Sequence, residues 1–243
     1  MRTRIRRIPI VGPALRSAYY GGRQQIKYAR GAALQAAREL RKRRERSARS
    51  VTKRNNRRAY ERLYSSPNLL ADYLQPSRIQ FYQDVADICS EFEPRSVVDV
   101  GCGTGHLLAE VLARTDAVET AVGIDYAGSA IQRARELIPS ARWLIGDVYA
   151  LDISLDNSFD LVLCTEVLEH LARPVEALEG LAHLRARGGR LVLTVPDGTL
   201  DSWKGHVNFW GEHEFRRLLE PFGEVNVRRI ESGRTLLATV AGN

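Results

Sequence analysis

The chain has 243 residues, 44% of them hydrophobic and 27% charged, with a formal net charge of +7. That length accommodates one full α/β domain plus an extension, and those proportions are globular, which excludes a wholly disordered, collagen-like or coiled-coil chain. No apolar run approaches the roughly 18 residues of a membrane span, the apolar patch broken by Pro9 and Pro13 is no signal peptide, and Cys89, Cys102 and Cys164 have neither disulfide nor zinc spacing, so a reduced, intracellular setting is expected.

The charge is divided unevenly along the chain. Residues 1–62 carry 20 Lys+Arg against 3 Asp+Glu, a net of +17, and residues 63–243 have a net of −10. The first stretch is read as a basic arm, helical or partly disordered, with helix-forming composition over residues 28–49. Such an arm is drawn to anions, and RNA or an acidic membrane surface would both serve, as would plain solvent. Its apolar face is mostly alanine, so adhesion would be electrostatic rather than inserted. A junction over 63–95, punctuated by Pro67, Asn68 and Pro76, leads to a helix at 77–92 that Ser77 can cap. From residue 96 strands and helices alternate: strands at 96–100, 120–125, 141–146, 159–164 and 190–195, and helices at 105–114, 128–138 and 173–185. That alternation predicts a parallel sheet covered on both faces. A helix near 211–220 then precedes strands at 224–231 and 234–240 joined by Ser232-Gly233, which predicts an antiparallel hairpin at the end of the sheet.

The segment Val97-Val98-Asp99-Val100-Gly101-Cys102-Gly103-Thr104-Gly105-His106 takes a strand through alternate glycines into a helix. Glycines permit the tight turn and a close backbone approach to a ligand, and the helix N-terminus favours negative charge. Asp125, at the end of the second strand, can accept both hydroxyls of a ribose. Asp147 follows the third strand and can accept an adenine amino hydrogen while the Val148 backbone meets a ring nitrogen. For each aspartate the plain alternative is a turn or a helix cap.

On these residues, with VGIDYAGSAI (122–131), GDVYAL (146–151), FDLVLCTEVLEHL (159–171) and GGRLVLTVPDG (188–198), the chain from about 96 to 240 resembles the class I S-adenosylmethionine-dependent methyltransferases of the ubiquinone/menaquinone-biosynthesis-like group. The resemblance implies a Rossmann-like, doubly wound seven-stranded sheet, mostly parallel with an antiparallel last strand. It implies that Asp99, Gly101, Cys102, Gly103 and Gly105 hold the methionine part of the cofactor, that Asp125 binds the ribose, that Tyr126 is among the cofactor-binding residues, that Asp147 and Val148 lie at the adenine, and that Thr165 and Glu166 line the methionine end.

Glu166-Val167-Leu168-Glu169-His170 is the segment with further chemistry. If a helix begins there, positions i, i+3 and i+4 share a face, where two carboxylates and an imidazole can bind a divalent cation. The string resembles the ExxEH metal site, a Mg2+-type site, of ubiquinone-biosynthesis O-methyltransferases and of small-RNA 2′-O-methyltransferases. The RNA enzymes add a later histidine, matched in position by His206, so Glu166, Glu169, His170 and His206 are the candidate ligands. Related strings without a metal are the alternative, and His170 or His206, with Glu169, is then the candidate acid–base machinery. The stretch 196–210 is the candidate acceptor region, where Trp203, Phe209 and Trp210 either wall an acceptor or pack against residues 77–92. His183 and His213 read as structural and surface positions.

The expected function is therefore O-methylation of a small-molecule, lipid or glycan acceptor, in the cytoplasm and peripheral on the inner face of the membrane. Alternatives are an RNA ribose 2′-O-methyltransferase using the basic arm, a non-catalytic cofactor-binding adaptor, and a nicotinamide dehydrogenase. No NPPY-type motif follows the fourth strand, so a DNA partner is not expected.

Overall fold

The computed structural model describes residues 55–71 and 74–242. Most of the basic arm, including the helix expected at 28–49, lies outside the described residues. The described chain opens with α1 (Arg57–Ser65), α2 (Pro67–Ala71) and α3 (Pro76–Ser90). Then follow β1 (Ser96–Val100), α4 (His106–Arg114), β2 (Thr120–Asp125), α5 (Gly128–Leu137), β3 (Arg142–Ile145), β4 (Phe159–Thr165), α6 (Pro174–Leu184) and β5 (Arg185–Pro196). The chain ends with α7 (Glu212–Leu219), β6 (Glu224–Ile230) and β7 (Thr235–Ala241).

The seven strands form one sheet in the order β3-β2-β1-β4-β5-β7-β6. β1 to β5 run parallel, and β7 pairs antiparallel with both β5 and β6. This is the expected Rossmann-like doubly wound sheet with an antiparallel last strand. β-strand side chains alternate between faces, so a sheet with helices on both sides needs apolar residues at nearly every position. β4 shows this directly. Leu161 and Leu163 enter the core shared with α3 and α4, while Val162 and Cys164 enter the core shared with α6 and α7.

The register carries the chemistry to one edge. Asp99 of β1 lies beside Gly123 of β2, and Thr165 of β4 beside Thr194 of β5. In an open parallel sheet the crevice beyond the carboxyl ends of the strands is where ligands sit, and β1, β2 and β4 all end there. Gly123 sits under the indole of Trp143, where a Cβ would come within 2.1 Å of the ring. The same ring lies 2.6 Å from where a Cβ on Gly105 would be. Trp143 thus supports the glycine loop from below, anchored by its indole N–H donating to the Ile138 carbonyl at 2.9 Å.

The local structure differs from expectation in four places. α3 begins at Pro76 with Gln75 at the N-cap and no side-chain cap, so Ser77 is inside the helix. The proline at the first helical position, with its preset φ, starts it instead. β5 is longer than expected, running from Arg185 through the glycine pair. The last hairpin does not close on a two-residue turn: Glu231, Ser232 and Gly233 all take positive φ in a short 3₁₀ turn. The boundary drawn at residue 62 falls inside α1. Tyr60, Leu63 and Tyr64 of that helix pack with Tyr126, Ala127 and Ala130, so α1 is part of the described fold.

Candidate active site

The donor end of the crevice is built by β1, β2 and the loop between β1 and α4. Gly101, Gly103 and Gly105 have φ of +81°, +52° and +81°. Gly101 also has no room for a side chain, since a Cβ there would meet Val167 Cγ2 at 2.3 Å. The Gly101 and Cys102 N–H groups donate to the Ile124 carbonyl at 2.7 and 3.1 Å, which ties the loop to β2. Asp125 tightens it further, accepting from Gly103 N at 2.9 Å and Ala127 N at 2.8 Å. Each oxygen of this carboxylate keeps lone-pair capacity for a ligand. Burial holds the Asp125 carboxyl above the usual carboxylate range.

Asp99 is almost fully buried, and its Oδ1 has no hydrogen-bond partner among the described residues. Burial first, and the nearby Asp125 charge second, push its carboxyl up to about 7. A buried acceptor left without a donor is costly, and a ligand ammonium would relieve it. The α4 N-terminus beside it has Gly105 as its cap with no side-chain partner. Thr104 Oγ1 and His106 Nδ1 lie 2.8 Å apart across that first turn. These residues fit the amino-acid and ribose parts of S-adenosylmethionine.

The remaining expected donor-end residues fall in several places. Cys102 contributes backbone only, because its thiol is buried and burial pushes its pKa well up. Tyr126 is half-buried with its ring centroid 5.5 Å from that of Tyr60. Asp147 is exposed and accepts from Tyr149 N at 3.0 Å, as a turn residue does. Val148 packs against the core beside it. Above the end of β2, Glu61 of α1 accepts from Gly128 N at 2.8 Å and Ser129 N at 2.9 Å, so it caps α5 from outside. The hydrogen bonds from Ser129, foremost among the donors around it, hold the Glu61 carboxyl down to about 2.

The acceptor end forms where β4 and β5 stop. Glu166 does not begin a helix. It takes a left-handed φ of +56°, and only Leu168–His170 form a 3₁₀ turn. Such a conformation costs about 1–3 kcal/mol and marks functional positions. The expected common face for Glu166, Glu169 and His170 is therefore broken. The Glu166 N–H and carboxylate both engage Thr194, with Oε1 accepting from Thr194 Oγ1 at 3.1 Å. Its Oε2 lies 3.7 Å from the Arg78 guanidinium.

Glu169, His170 and His206 do come together, with one donor atom from each inside a 4.8 Å group. Glu169 is buried, and neither carboxylate oxygen has a hydrogen-bond partner among the described residues. His170 Nε2 is 3.5 Å and His206 Nε2 3.9 Å from Glu169 Oε1. Burial, then the Glu166 charge, push the Glu169 carboxyl well up. Burial, then the neighbouring His206, push the His170 imidazole down to about 4. Two orphaned carboxylate oxygens facing two imidazoles fit a divalent cation by their chemistry. The two nitrogens suit an imidazole-binding first-row ion better than Mg2+, which prefers oxygen.

Asn208 assembles this cluster across sequence distance. Its side-chain amide donates to the Leu168 and Leu171 carbonyls at 3.0 and 2.7 Å, and its backbone N–H donates to the Glu169 carbonyl at 3.1 Å. That seats the segment after β5 on the 3₁₀ turn. Asp197 anchors the start of the segment through Thr199 and an ion pair with Arg229. Trp203 is more than half exposed and lies edge-on to His170 and His206, at 5.7 and 4.7 Å between centroids. Phe209 is 6.3 Å from His206, while Trp210 turns inward onto Phe215. So Trp203 and Phe209 remain at the acceptor side and Trp210 belongs to the core. His183 and His213 are exposed helix positions. Asn55, Arg78, Thr194 and Asp201, none of them expected, line the same region; only an arginine near a proline-started helix was a visible signal.

The sheet order, the glycine loop and the acidic strand ends define a doubly wound, Rossmann-like domain. Residues 98–191 match the family model described as a methyltransferase domain. The ubiquinone biosynthesis O-methyltransferase of Idiomarina loihiensis is 30% identical over 161 residues, covering 61% of this chain and 64% of that protein. The enzyme of the same name from Alkalilimnicola ehrlichii is 36% identical over 125 residues, covering 50% and 48%. The chain thus spans between about half and just under two thirds of these relatives' length. In fold it is similar to the N-methyltransferase NodS from Bradyrhizobium japonicum, solved with S-adenosyl-L-homocysteine. The TM-score is 0.61 at 19% identity, covering 76% of this chain and 97% of that one. In sequence and in fold the domain is thus similar to S-adenosylmethionine-dependent methyltransferases. No helix among the described residues is long and apolar enough to cross a membrane.

Proposed function

We propose that this chain transfers a methyl group from S-adenosylmethionine to a hydroxyl oxygen of a small-molecule, lipid or glycan acceptor, at a centre that holds a divalent cation. The observation that carries this reading is the buried Glu169 carboxylate, which has no hydrogen-bond donor among the described residues and faces two imidazole nitrogens. A carboxylate in that setting needs a proton or a cation.

In this reading Asp99 accepts from the donor's ammonium, Asp125 accepts from its ribose hydroxyls, and the Gly101–Gly105 loop gives it close backbone contact. Tyr126 and Val148 flank the adenine, Asp147 closes the turn beside it, and Thr165 and Glu166 border the methionine end. Arg78 places a guanidinium at that same end, suited to a carboxylate. The bound donor supplies an activated methyl on a sulfonium. The protein's tasks are then to align the acceptor oxygen behind that carbon and to exclude water. Trp203 and Phe209 wall the approach. Glu169 and the histidines beside it would hold the cation, which would supply Lewis-acid polarisation of the acceptor hydroxyl. The cation is of the imidazole-binding kind, so Mg2+ alone is expected to support activity poorly.

The test is methyl transfer from radiolabelled S-adenosylmethionine into extract fractions, with and without chelator. Label in lipid, glycan or small molecules that disappears with chelator supports the reading. Label confined to RNA would make the basic arm a nucleic-acid grip and the acceptor a ribose. Cofactor binding with no label in any fraction would sink catalysis and favour an adaptor.

A further inference from the structure

Eight large hydrophobic side chains stand exposed among the described residues, and three of them fall within ten residues at the acceptor end: Leu200, Trp203 and Phe209, exposed by 64%, 55% and 47%. Scattered singly such residues are ordinary, but grouped at a site they mark a surface that meets an apolar partner. The acids nearby are turned to internal partners. Asp197 is buried and pairs with Arg229, Glu212 lies 3.4 Å from the same guanidinium, and Asp201 accepts from the Trp203 N–H at 3.0 Å. Lys204 is exposed beside Trp203. The indole itself is seated on the loop, since a Cβ on Gly205 would come within 1.9 Å of the Trp203 ring. The basic stretch joins the described fold at the same place. Residues 1–54 carry 17 Lys+Arg against 2 Asp+Glu. Asn55, the next residue, donates from its side-chain amide to the Gly205 carbonyl at 2.8 Å.

We propose that this face docks on an anionic lipid bilayer: Leu200, Trp203 and Phe209 enter the interface, and Lys204 and the basic stretch are drawn to the headgroups. The proposal rests on the reading that the segment walls the acceptor, and it narrows that acceptor to a lipid. Stable attachment without a spanning helix takes two signals, and here apolar side chains and positive charge are rooted on one loop. Indole rings favour the headgroup level, where one edge is apolar and the other wet. A single-stranded RNA also uses aromatics and charge. Leu200, the most exposed of the three, offers a base no ring to stack on, and residues 55–243 have a net charge of −8, which repels a strand laid across them. A bilayer needs contact only at the loop and the basic stretch, and most of the acidic remainder then stands beyond the roughly 10 Å over which its charge is felt.

The test is flotation of the full chain with vesicles of phosphatidylcholine alone and of phosphatidylcholine mixed with phosphatidylglycerol. Binding is expected to the mixed vesicles, and it should weaken with salt. Leu200→Ser combined with Lys204→Glu should weaken it at least about tenfold. Both positions are exposed, so S-adenosylhomocysteine affinity within about twofold of the unaltered chain shows that the variant is folded. Brominated phosphatidylcholine in the mixed vesicles should quench tryptophan fluorescence, and Trp203→Phe should remove that quenching, because Trp143 is buried and Trp210 turns inward onto Phe215. Vesicle binding unmoved by the double variant, or quenching unmoved by Trp203→Phe, overturns the docking surface and leaves the basic stretch as a charge contact alone. Quenching of Trp203 by polyuridylate but not by brominated lipid also overturns it, in favour of a nucleic-acid platform. These readouts use neither methyl transfer nor a cation, so the two readings fail separately. Vesicle contact without labelled lipid overturns the lipid acceptor, and labelled lipid in detergent without vesicle contact overturns the surface.

Discussion

At the donor end of the crevice, Asp99, the glycine loop and Asp125 come from two adjacent strands and the turn between them, and backbone N–H groups satisfy most of what is buried there. The acceptor end is collected from across the chain: Asn55 and His170 are 115 positions apart, and Asn55 and Gly205 are 150 apart. Each end keeps one buried carboxylate unsatisfied, Asp99 at the first and Glu169 at the second. The difference lies in what each awaits. Asp99 lies beside the glycine loop, and in the proposed function a ligand ammonium would complete it. Glu169 faces two imidazoles, and in the proposed function a cation would complete it. The ends touch where Val167 fills the space that a Cβ on Gly101 would need.

If the ends are chemically distinct, substitutions should separate them. Glu169→Gln should lower methyl transfer by at least about 100-fold, as loss of an electrostatic centre does. It should leave S-adenosylhomocysteine affinity within about twofold, since no donor-end contact is lost. The same change should raise stability by about 1–3 kcal/mol, because it removes a buried unpartnered acid. Calorimetric binding and thermal melts read both, and a parallel loss of donor affinity would merge the two ends. Asp125→Ala should do the reverse, weakening S-adenosylhomocysteine binding by about 2–4 kcal/mol through lost charged hydrogen bonds. Unchanged affinity would remove Asp125 from the site.

A smaller effect comes from pH. The Asp99 carboxyl sits near 7 when folded, above its ordinary 3.8, and its ionised form is the one that receives an ammonium. S-adenosylhomocysteine should therefore bind about tenfold more weakly at pH 6 than at pH 8. Without ligand the sign is the opposite: a raised acid pKa costs folding stability as pH climbs from about 4 to 7. Flat affinity across that window in the wild type, or an unaltered slope in Asp99→Asn, would refute the pairing. Smallest is Glu61→Gln, which weakens the external cap on α5. It should cost about 1 kcal/mol and speed amide exchange in α1. Its carboxyl lies near 2 when folded against an ordinary 4.5, so that stabilisation is present above pH 4.5 and is lost as pH falls through 2.

The alternation of apolar strands with helices from Ser96 onward predicted the sheet because both of its faces are buried, a condition visible at most positions of β1, β2 and β4. The donor-end aspartates were legible for the same local reason: strand, glycine turn and helix are contiguous. The acceptor end was legible in residue identity but not in geometry. Helical spacing put Glu166 with Glu169 and His170, yet the left-handed φ at Glu166 sends its carboxylate to Thr194 and Arg78 instead. Trp210 looked like a site aromatic until Phe215 of α7 took it into the core.

By itself the sequence determined the class of this protein, because a methyl-donor cradle is made of short-range patterns: period-two strands, glycines where φ must be positive, acids at strand ends. Tertiary structure alone decided which carboxylate stands unpaired and which histidines meet it. Those outcomes depend on Asn208 seating one loop on another, and on Asn55 and Asp201 arriving from distant segments. Hydrogen bonds between distant segments leave no periodicity in a chain.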